Sequence, residues 1–226
     1  MLACECDCPN EIKLALIEAG ADVNAKDEEG TTALYYELSY NDKDASVDVV
    51  KAMIAHGLDA NFKYSYGGTA LMLACECDCP NEIKLALIEA GADVNAQSED
   101  GYTALRYELA NCEDASLDVV NALIEHGADV NFKTRYGTSA LMYACEDCTK
   151  EIKLALIEAG ADVNAKDGEG RTVLYYELRN NEDASFDVVK ALVEKGIDVN
   201  ACQIREGLSA KEYAAEYCSA EIAALL

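Results

Sequence analysis

Residues 69–96 read TALMLACECDCPNEIKLALIEAGADVNA, and this stretch decides the fold. Glu82 to Ala90 has apolar residues at the 3.6-residue spacing of a helix, over a wide face. Gly91 follows the last turn, where a left-handed backbone favours glycine. The segment TALMLAC that begins at Thr69 predicts a second, shorter helix. Neither helix can bury its broad apolar face alone, so the pair must stack on neighbours.

The same stretch returns along the chain. Met1 to Ala25 repeats Met72 to Ala96 letter for letter, and a looser third copy runs from Met142 to Ala165. A different helical segment alternates with these copies, first as DASVDVVKAMIAHGLDANFK from Asp44 and then twice more in related form. The chain therefore has a short period of about 35 residues inside a double period of about 70.

Two glycines mark each short period. One ends a helix and the other ends a polar loop; they are Gly20, Gly57, Gly91, Gly127, Gly160 and Gly196, and Gly30, Gly67, Gly101, Gly137, Gly170 and Gly207. No spacer between the repeats is long enough to be a linker. The sequence therefore predicts a single continuous domain over residues 1–226, in which each unit is a helix, a turn, a helix and a projecting loop.

The repeated patterns G-x-T-A-L and E-I-x-L-x-L-I-E-x-G-A-D-V-N-A resemble the ankyrin repeat over essentially the whole chain. The resemblance implies an all-α solenoid of about seven stacked helix-turn-helix repeats with projecting β-hairpin-like loops. One departure is that the family's T-P-L-H segment reads T-A-L-Y from Thr32 and T-A-L-M from Thr69. Residues 198–226 match a C-terminal capping repeat with a more polar face.

The first repeat begins in mid-helix, at the place matched by Met72 in the later copy. Its apolar residues would then lie at an unprotected end of the stack. From the sequence we expect either that the chain is a fragment of a longer protein or that this end associates with something, including a second copy.

Composition limits the classes of partner. The 226 residues are 51% hydrophobic and 27% charged, which is typical of a folded protein, and no apolar run reaches the roughly 18 residues of a membrane span. The net charge of −25 repels nucleic acids and anionic membranes and favours a partner with a basic surface. The alternative is that the acidity only keeps the surface soluble. The eleven cysteines, an odd number, indicate reduced thiols and a cytoplasmic location.

No catalytic constellation or phosphate-binding loop appears, so we expect neither enzymatic activity nor a cofactor. The only histidines, His56 and His126, both come just before a helix-ending glycine, where a cation complements the helix terminus. Cys75, Cys77 and Cys79 could hold a soft metal or act in redox chemistry. They lack a fourth ligand nearby, and a buried cysteine packs well as a small apolar residue, so packing is the favoured interpretation.

Glu37, Glu108 and Glu177 recur in the segments LYYEL and LRYEL, inside a predicted first helix. One interpretation is a partly exposed carboxylate that is hydrogen-bonded to a tyrosine or to nearby backbone, because burying an unpaired charge is costly. The other interpretation is a row of carboxylates that faces a basic ligand.

The resemblance implies that a partner binds the hairpin tips and first helices on the concave face of the solenoid. Acidic tips alternate there with tips that carry tyrosine and lysine or arginine, residue types that dominate interface energies. The predicted partner-binding residues are Glu29, Tyr40, Tyr66, Asp100, Tyr102, Arg135, Tyr136, Glu169, Arg171 and Arg179. The leading prediction is a protein–protein interaction scaffold. The alternatives are a thiol-based metal or redox protein, and a synthetic or recently duplicated sequence without a defined ligand.

Overall fold

The computed structural model describes residues 2–5, 8–41, 44–64, 67–110, 115–179, 184–201, 203–205 and 208–226. For Leu2, Tyr40, Asn41 and residues 203–205 it describes the backbone only. These ranges contain fourteen helices and one two-stranded ribbon: α1 Leu2–Glu5, α2 Asn10–Glu18, α3 Ala33–Asn41, α4 Val47–Ala55, α5 Ala70–Glu76, α6 Asn81–Glu89, α7 Ala104–Ala110, α8 Leu117–Glu125, α9 Ala140–Asp147, α10 Lys150–Glu158, α11 Val173–Arg179, α12 Phe186–Glu194, β1 Gln203–Arg205, β2 Leu208–Ser209, α13 Ala210–Tyr217 and α14 Ala220–Leu225.

The helices come in pairs, as the repeat pattern predicts. We call α1/α2, α5/α6 and α9/α10 the A repeats, and α3/α4, α7/α8 and α11/α12 the B repeats; α13/α14 occupies the next A position. The chain forms two compact units, Met1–Ala128 with α1 to α8 and Asp129–Leu226 with α9 to α14. A single continuous domain over residues 1–226 stays a prediction. Over the ranges that the structure describes, the helices are too short and too polar to span a bilayer.

Burial of each second helix depends on its neighbours. Ile83 and Leu87 of α6 are fully buried, and α6 packs against α4 on one side and α8 on the other. The helix α2 has the same sequence, yet Ile12 is 49% exposed and Leu16 is 48% exposed. Full burial of such a side chain contributes roughly 1.5–3 kcal/mol. The repeats beside a second helix therefore supply a large part of the burial that stabilises it.

Local capping fixes where the helices begin and end. The side chain of Thr69 accepts a hydrogen bond from the backbone N–H of Met72 at the start of α5. The side chain of Ser46 accepts from the N–H of Val49 at the start of α4. Gly91 follows α6 with a φ of +85°, which confirms the left-handed position that the sequence predicts.

The predicted hairpin-like loops are present between successive repeats. Single antiparallel bridges close them at Lys26 and Thr32, Lys63 and Thr69, Lys133 and Ser139, and Lys166 and Thr172. The ribbon of β1 and β2 has the same position before α13, with Gln203 opposite Ser209. These loops project from the helix pairs and carry most of the predicted binding residues.

Asparagine side chains tie each loop to the next repeat. In the first unit Asn61 donates from Nδ2 to the carbonyl of Gly91 at 3.0 Å, and its Oδ1 accepts from the N–H of Asp93 at 2.7 Å. Asn24 makes the same two bonds one repeat earlier, and Asn164 makes them in the second unit. Each asparagine thus satisfies one donor and one acceptor that the next helix end leaves unpaired.

Replacing Asn61 by alanine removes both bonds, so we expect the free energy of unfolding to fall by about 1–2 kcal/mol. Urea denaturation followed by circular dichroism measures this loss. Asn81→Ala is the matched control, because Asn81 is exposed at the start of α6. Equal unfolding midpoints for the two variants would contradict a role for Asn61 in joining the repeats.

Candidate functional site

In each unit, the hairpins and the first helices next to them form a surface that we call the hairpin–helix face. In the first unit it includes the hairpin segments 26–31 and 97–102, and in the second unit the segments 133–138 and 166–171. These segments contain most of the residues that the sequence predicts to bind a partner.

A tyrosine fixes the hairpin on its first helix in the B repeats. The hydroxyl of Tyr36 donates to Oδ2 of Asp27 at 2.7 Å, and Tyr176 makes the same bond to Asp167. The bond to Asp27 raises the pKa of Tyr36 to about 12 and lowers the pKa of Asp27 below its usual range. This contact was not identified from the sequence, although the aspartate and the tyrosine are nine residues apart in both repeats and the recurrence of this spacing could have indicated it.

In the first unit the predicted residues fall into two groups. Glu29 and Asp100 lie exposed at hairpin tips. Tyr102 is half-buried, and the Arg106 guanidinium lies 4.1 Å from the centre of its ring. The side chain of Tyr40 lies outside the described residues, as does Tyr66.

In the second unit Arg171 is held by two acids. Its Nε lies 2.6 Å from Oδ2 of Asp167, and its Nη1 lies 3.1 Å from Oε2 of Glu169. Burial alone would raise the pKa of Asp167, but hydrogen bonds from Tyr176 and Arg171 overcome this effect and hold the pKa at about 2. Arg171 is therefore a fixed and largely neutralised cation.

Arg179 adds to the same network. It pairs with Glu146 of α9, and its guanidinium lies 5.5 Å from the centre of the Tyr176 ring. The structure thus brings Glu169, Arg171 and Arg179 together around one buried tyrosine. These three predicted residues form one charged cluster beside an aromatic ring.

Tyr136 is the most exposed large aromatic or aliphatic side chain in the part of the chain that the structure describes, at 58%. The Arg135 guanidinium lies 4.9 Å from the centre of its ring. The tip is nevertheless firmly supported, because the backbone N–H of Gly168 donates to the Tyr136 carbonyl at 2.7 Å. A Cβ added at Gly168 would lie 3.0 Å from that carbonyl oxygen, so the two hairpins touch through their backbones.

Glu37, Glu108 and Glu177 are buried, so the expected partial exposure and the expected row of carboxylates toward a ligand are both wrong. The expected hydrogen bond to nearby backbone is present in all three. Oε2 of Glu108 lies 2.9 Å from Nζ of Lys84, and its Oε1 accepts from the N–H of Ser116 at 2.9 Å. Lys13 with Glu37 and Lys153 with Glu177 repeat this arrangement, at 2.7 and 2.9 Å. A buried lysine of the preceding A repeat neutralises each glutamate, a partner that the sequence interpretation overlooked.

The three cysteines of the C-x-C-x-C segment have separate surroundings. Cys75 is fully buried beside the Lys84–Glu108 pair, and Cys79 is buried with its thiol donating to the Leu38 carbonyl. Cys77 is half-buried at the end of α5. Over the described ranges, no group of three or more histidine, cysteine or acidic side chains is placed to hold a metal ion. Cys75 and Cys79 are buried, as the packing interpretation predicts, whereas Cys77 is only half-buried.

Burial and the nearby Glu108 carboxylate raise the pKa of Cys75 well above its usual range, and burial and Glu177 do the same for Cys145. Since the thiolate is the reactive form, both thiols should resist alkylation at pH 8 in the folded protein. We expect iodoacetamide to label half-buried Cys77 at least tenfold faster. Peptide mass spectrometry measures the labelling, with urea-unfolded protein as the control. Rapid labelling of Cys75 without unfolding would contradict the buried position.

The two histidines lie where the sequence predicts. His56 and His126 end α4 and α8, and Nδ1 of each lies 2.9 Å from the carbonyl oxygen four residues earlier. Both rings are exposed and bonded to their own helix ends. This placement supports the structural role that the sequence analysis assigned to them.

Comparison with known proteins gives concordant results. A family model described as ankyrin repeats in three copies matches residues 1–98 and 81–167. The ankyrin repeat domain of Bcl-3, described as a unique member of the IkappaB protein family, superposes with a TM-score of 0.66 at 23% identity, over 95% of this chain and 90% of that one. An ankyrin repeat domain from Acinetobacter baumannii AYE has a TM-score of 0.68 at 29% identity, over 84% of this chain and 96% of that one.

Proposed function

The chain belongs to the ankyrin-repeat family, and on that basis we propose that it is a non-catalytic scaffold that binds another protein on its hairpin–helix face. Ankyrin repeat domains are in general protein–protein interaction modules. The observation that carries the choice of surface is Tyr136, an exposed aromatic on a hairpin whose backbone is fixed by its neighbour. A rigid aromatic gives a large contact area at low cost in conformational entropy.

We propose that the partner presents basic side chains to the first unit. Glu28, Glu29, Glu99 and Asp100 are exposed at two hairpin tips, and the net charge of −25 attracts a basic protein from a distance. In the second unit Arg171 and Arg179 are already paired with Asp167, Glu169 and Glu146. That surface therefore supports contacts through aromatic rings and hydrogen bonds more than through free charge.

We also propose that binding takes place in the cytoplasm, where thiols stay reduced. The described cysteines are all free. Several are deeply buried, among them Cys75 and Cys145. Free thiols in this number are typical of proteins in a reducing compartment.

Replacing Tyr136 by alanine should weaken partner binding about tenfold, a loss of about 1–2 kcal/mol, if the ring is a binding anchor. The partner is first isolated on immobilised wild-type protein from extracts of the organism that supplies the sequence. Its affinity for each variant is then measured by isothermal titration calorimetry. Phe186→Ala is the matched control, because Phe186 is 37% exposed on α12, a second helix.

The same titrations test the basic partner. Glu99→Gln with Asp100→Asn should reduce both the affinity and its dependence on salt, because screened surface charges act mainly through attraction at a distance. Glu82→Gln with Glu89→Gln removes two exposed charges from α6, a second helix, and should have little effect.

A Tyr136 variant that binds as well as wild type, together with a weakened Phe186 variant, would place the partner on the second helices instead.

A second proposal is self-association through α2. Ile12 and Leu16 are about half exposed there, whereas the identical residues Ile83 and Leu87 are fully buried under α4 and its neighbours. An apolar helix face of this kind gains free energy when a second copy covers it. We propose a symmetric contact between the α2 faces of two copies.

Sedimentation equilibrium tests this contact over a range of concentrations. The average mass of wild type should rise above 24.4 kDa as the concentration increases. Ile12→Glu with Leu16→Glu should hold the mass at that of one chain, because the new charges repel each other. Phe186→Glu adds a charge elsewhere and should leave association unchanged. A wild-type mass that stays at 24.4 kDa throughout would rule out the contact.

A further inference from the structure

Over the part of the chain that the structure describes, buried lysine–glutamate pairs lie where an A repeat is followed by a B repeat. Lysine is the fourth residue of each A second helix, and glutamate is the fifth residue of each B first helix. The two are 24 residues apart in all three pairs, which are Lys13 with Glu37, Lys84 with Glu108 and Lys153 with Glu177. Within the described residues each pair lies inside one compact unit.

The junction in the other direction has apolar residues at the same positions. The fourth residue of α4, in a B repeat, is Val50, and the fifth residue of α5, in the next A repeat, is Ala74. Both are fully buried. The two kinds of junction therefore differ at one matched pair of positions, lysine with glutamate or valine with alanine.

The glutamate also has a second role, at the start of the second helix of its own B repeat. Oε1 of Glu37, Glu108 and Glu177 accepts the backbone N–H of Ser46, Ser116 and Ser185, the residue just before each B second helix. In the first two A repeats this position is Pro9 or Pro80, which has no N–H to satisfy. The carboxylate thus joins the helix start of its own repeat to the lysine of the repeat before it.

The lysine is not needed to form the A helix pair itself. In α13/α14, which occupies an A position, Ala215 and Ala223 stand where the third A repeat has Cys145 and Lys153. The helix α14 forms with that alanine in place. The lysine is therefore explained by the B repeat that packs on it, and not by the formation of its own helix.

We infer that the lysine–glutamate pair specifies the order of the repeats, so that an A repeat is followed by a B repeat. Stacking A on A would leave a buried lysine facing alanine, and stacking B on B would leave a buried glutamate facing valine. An uncompensated buried charge costs far more than the intact pair contributes. Apolar packing alone tolerates many combinations of side chains, and two 25-residue stretches of this chain are identical. The charged pair therefore distinguishes a correct neighbouring repeat from a wrong one.

Substitutions in the full-length chain reproduce each wrong junction. Lys84→Val presents the residue of a B repeat to Glu108, and Glu108→Ala presents the residue of an A repeat to Lys84. The double variant combines valine with alanine, as at the natural B-to-A junction. We expect each single change to lower the urea midpoint by about 1 M or more, and the double variant to recover most of that loss. Lys51→Val and Glu89→Ala, on exposed helix surfaces, are the controls and should have little effect.

Two results would overturn the inference. One is a pair of single variants as stable as wild type. The other is a double variant whose loss equals the sum of the single losses, since the two positions would then act independently. Should a single variant not fold, Lys84→Met and Glu108→Gln repeat the cycle with smaller changes in shape. Recovery in the Lys84→Met/Glu108→Gln protein relative to its two single variants would support the same coupling, and its absence would refute it.

Discussion

A helix in this chain is stable because of what packs on it. The helices α2 and α6 have the same sequence but differ in burial. Ile83 and Leu87 lose all contact with water between α4 and α8, while Ile12 and Leu16 keep about half of theirs. Because each repeat is buried by its neighbours, the stability of the chain depends on the contacts between adjacent repeats. The side chains at those contacts decide which repeats can be neighbours.

The junctions use two different means of contact. Burial of apolar side chains supplies most of the free energy of packing. The asparagines fix the spacing between successive loops, because each one bonds to both a donor and an acceptor of the next loop. The lysine–glutamate pairs contribute little net stability compared with apolar residues of the same size, but they make mismatched neighbours costly. Burial holds the array together, and polar contacts determine its register.

The repeat architecture could be predicted from the sequence because it rests on local signals. The glycine at 91, the cap at Thr69 and the apolar spacing of α6 each depend on a few adjacent residues. The role of Glu108 could not be predicted in the same way. Its partner Lys84 lies 24 residues away in another repeat, and in the sequence it reads as an ordinary polar residue of an amphipathic helix. Recognising the pair requires knowing which helices are stacked.

In the candidate site too, features that depend on adjacent residues could be predicted from the sequence, and contacts between distant residues could not. Tyr136 follows from the position of its hairpin tip, and the structure places it exposed as expected. The ion pairing of Arg171 does not follow, because it depends on Asp167 being fixed by Tyr176 from the first helix behind it. If a partner binds there as proposed, it meets Arg171 and Arg179 with their charges already compensated. Since compensated charges attract weakly at a distance, the proposed binding to the second unit would depend on shape and on the exposed ring of Tyr136, whereas the acidic tips of the first unit would attract a basic partner before contact.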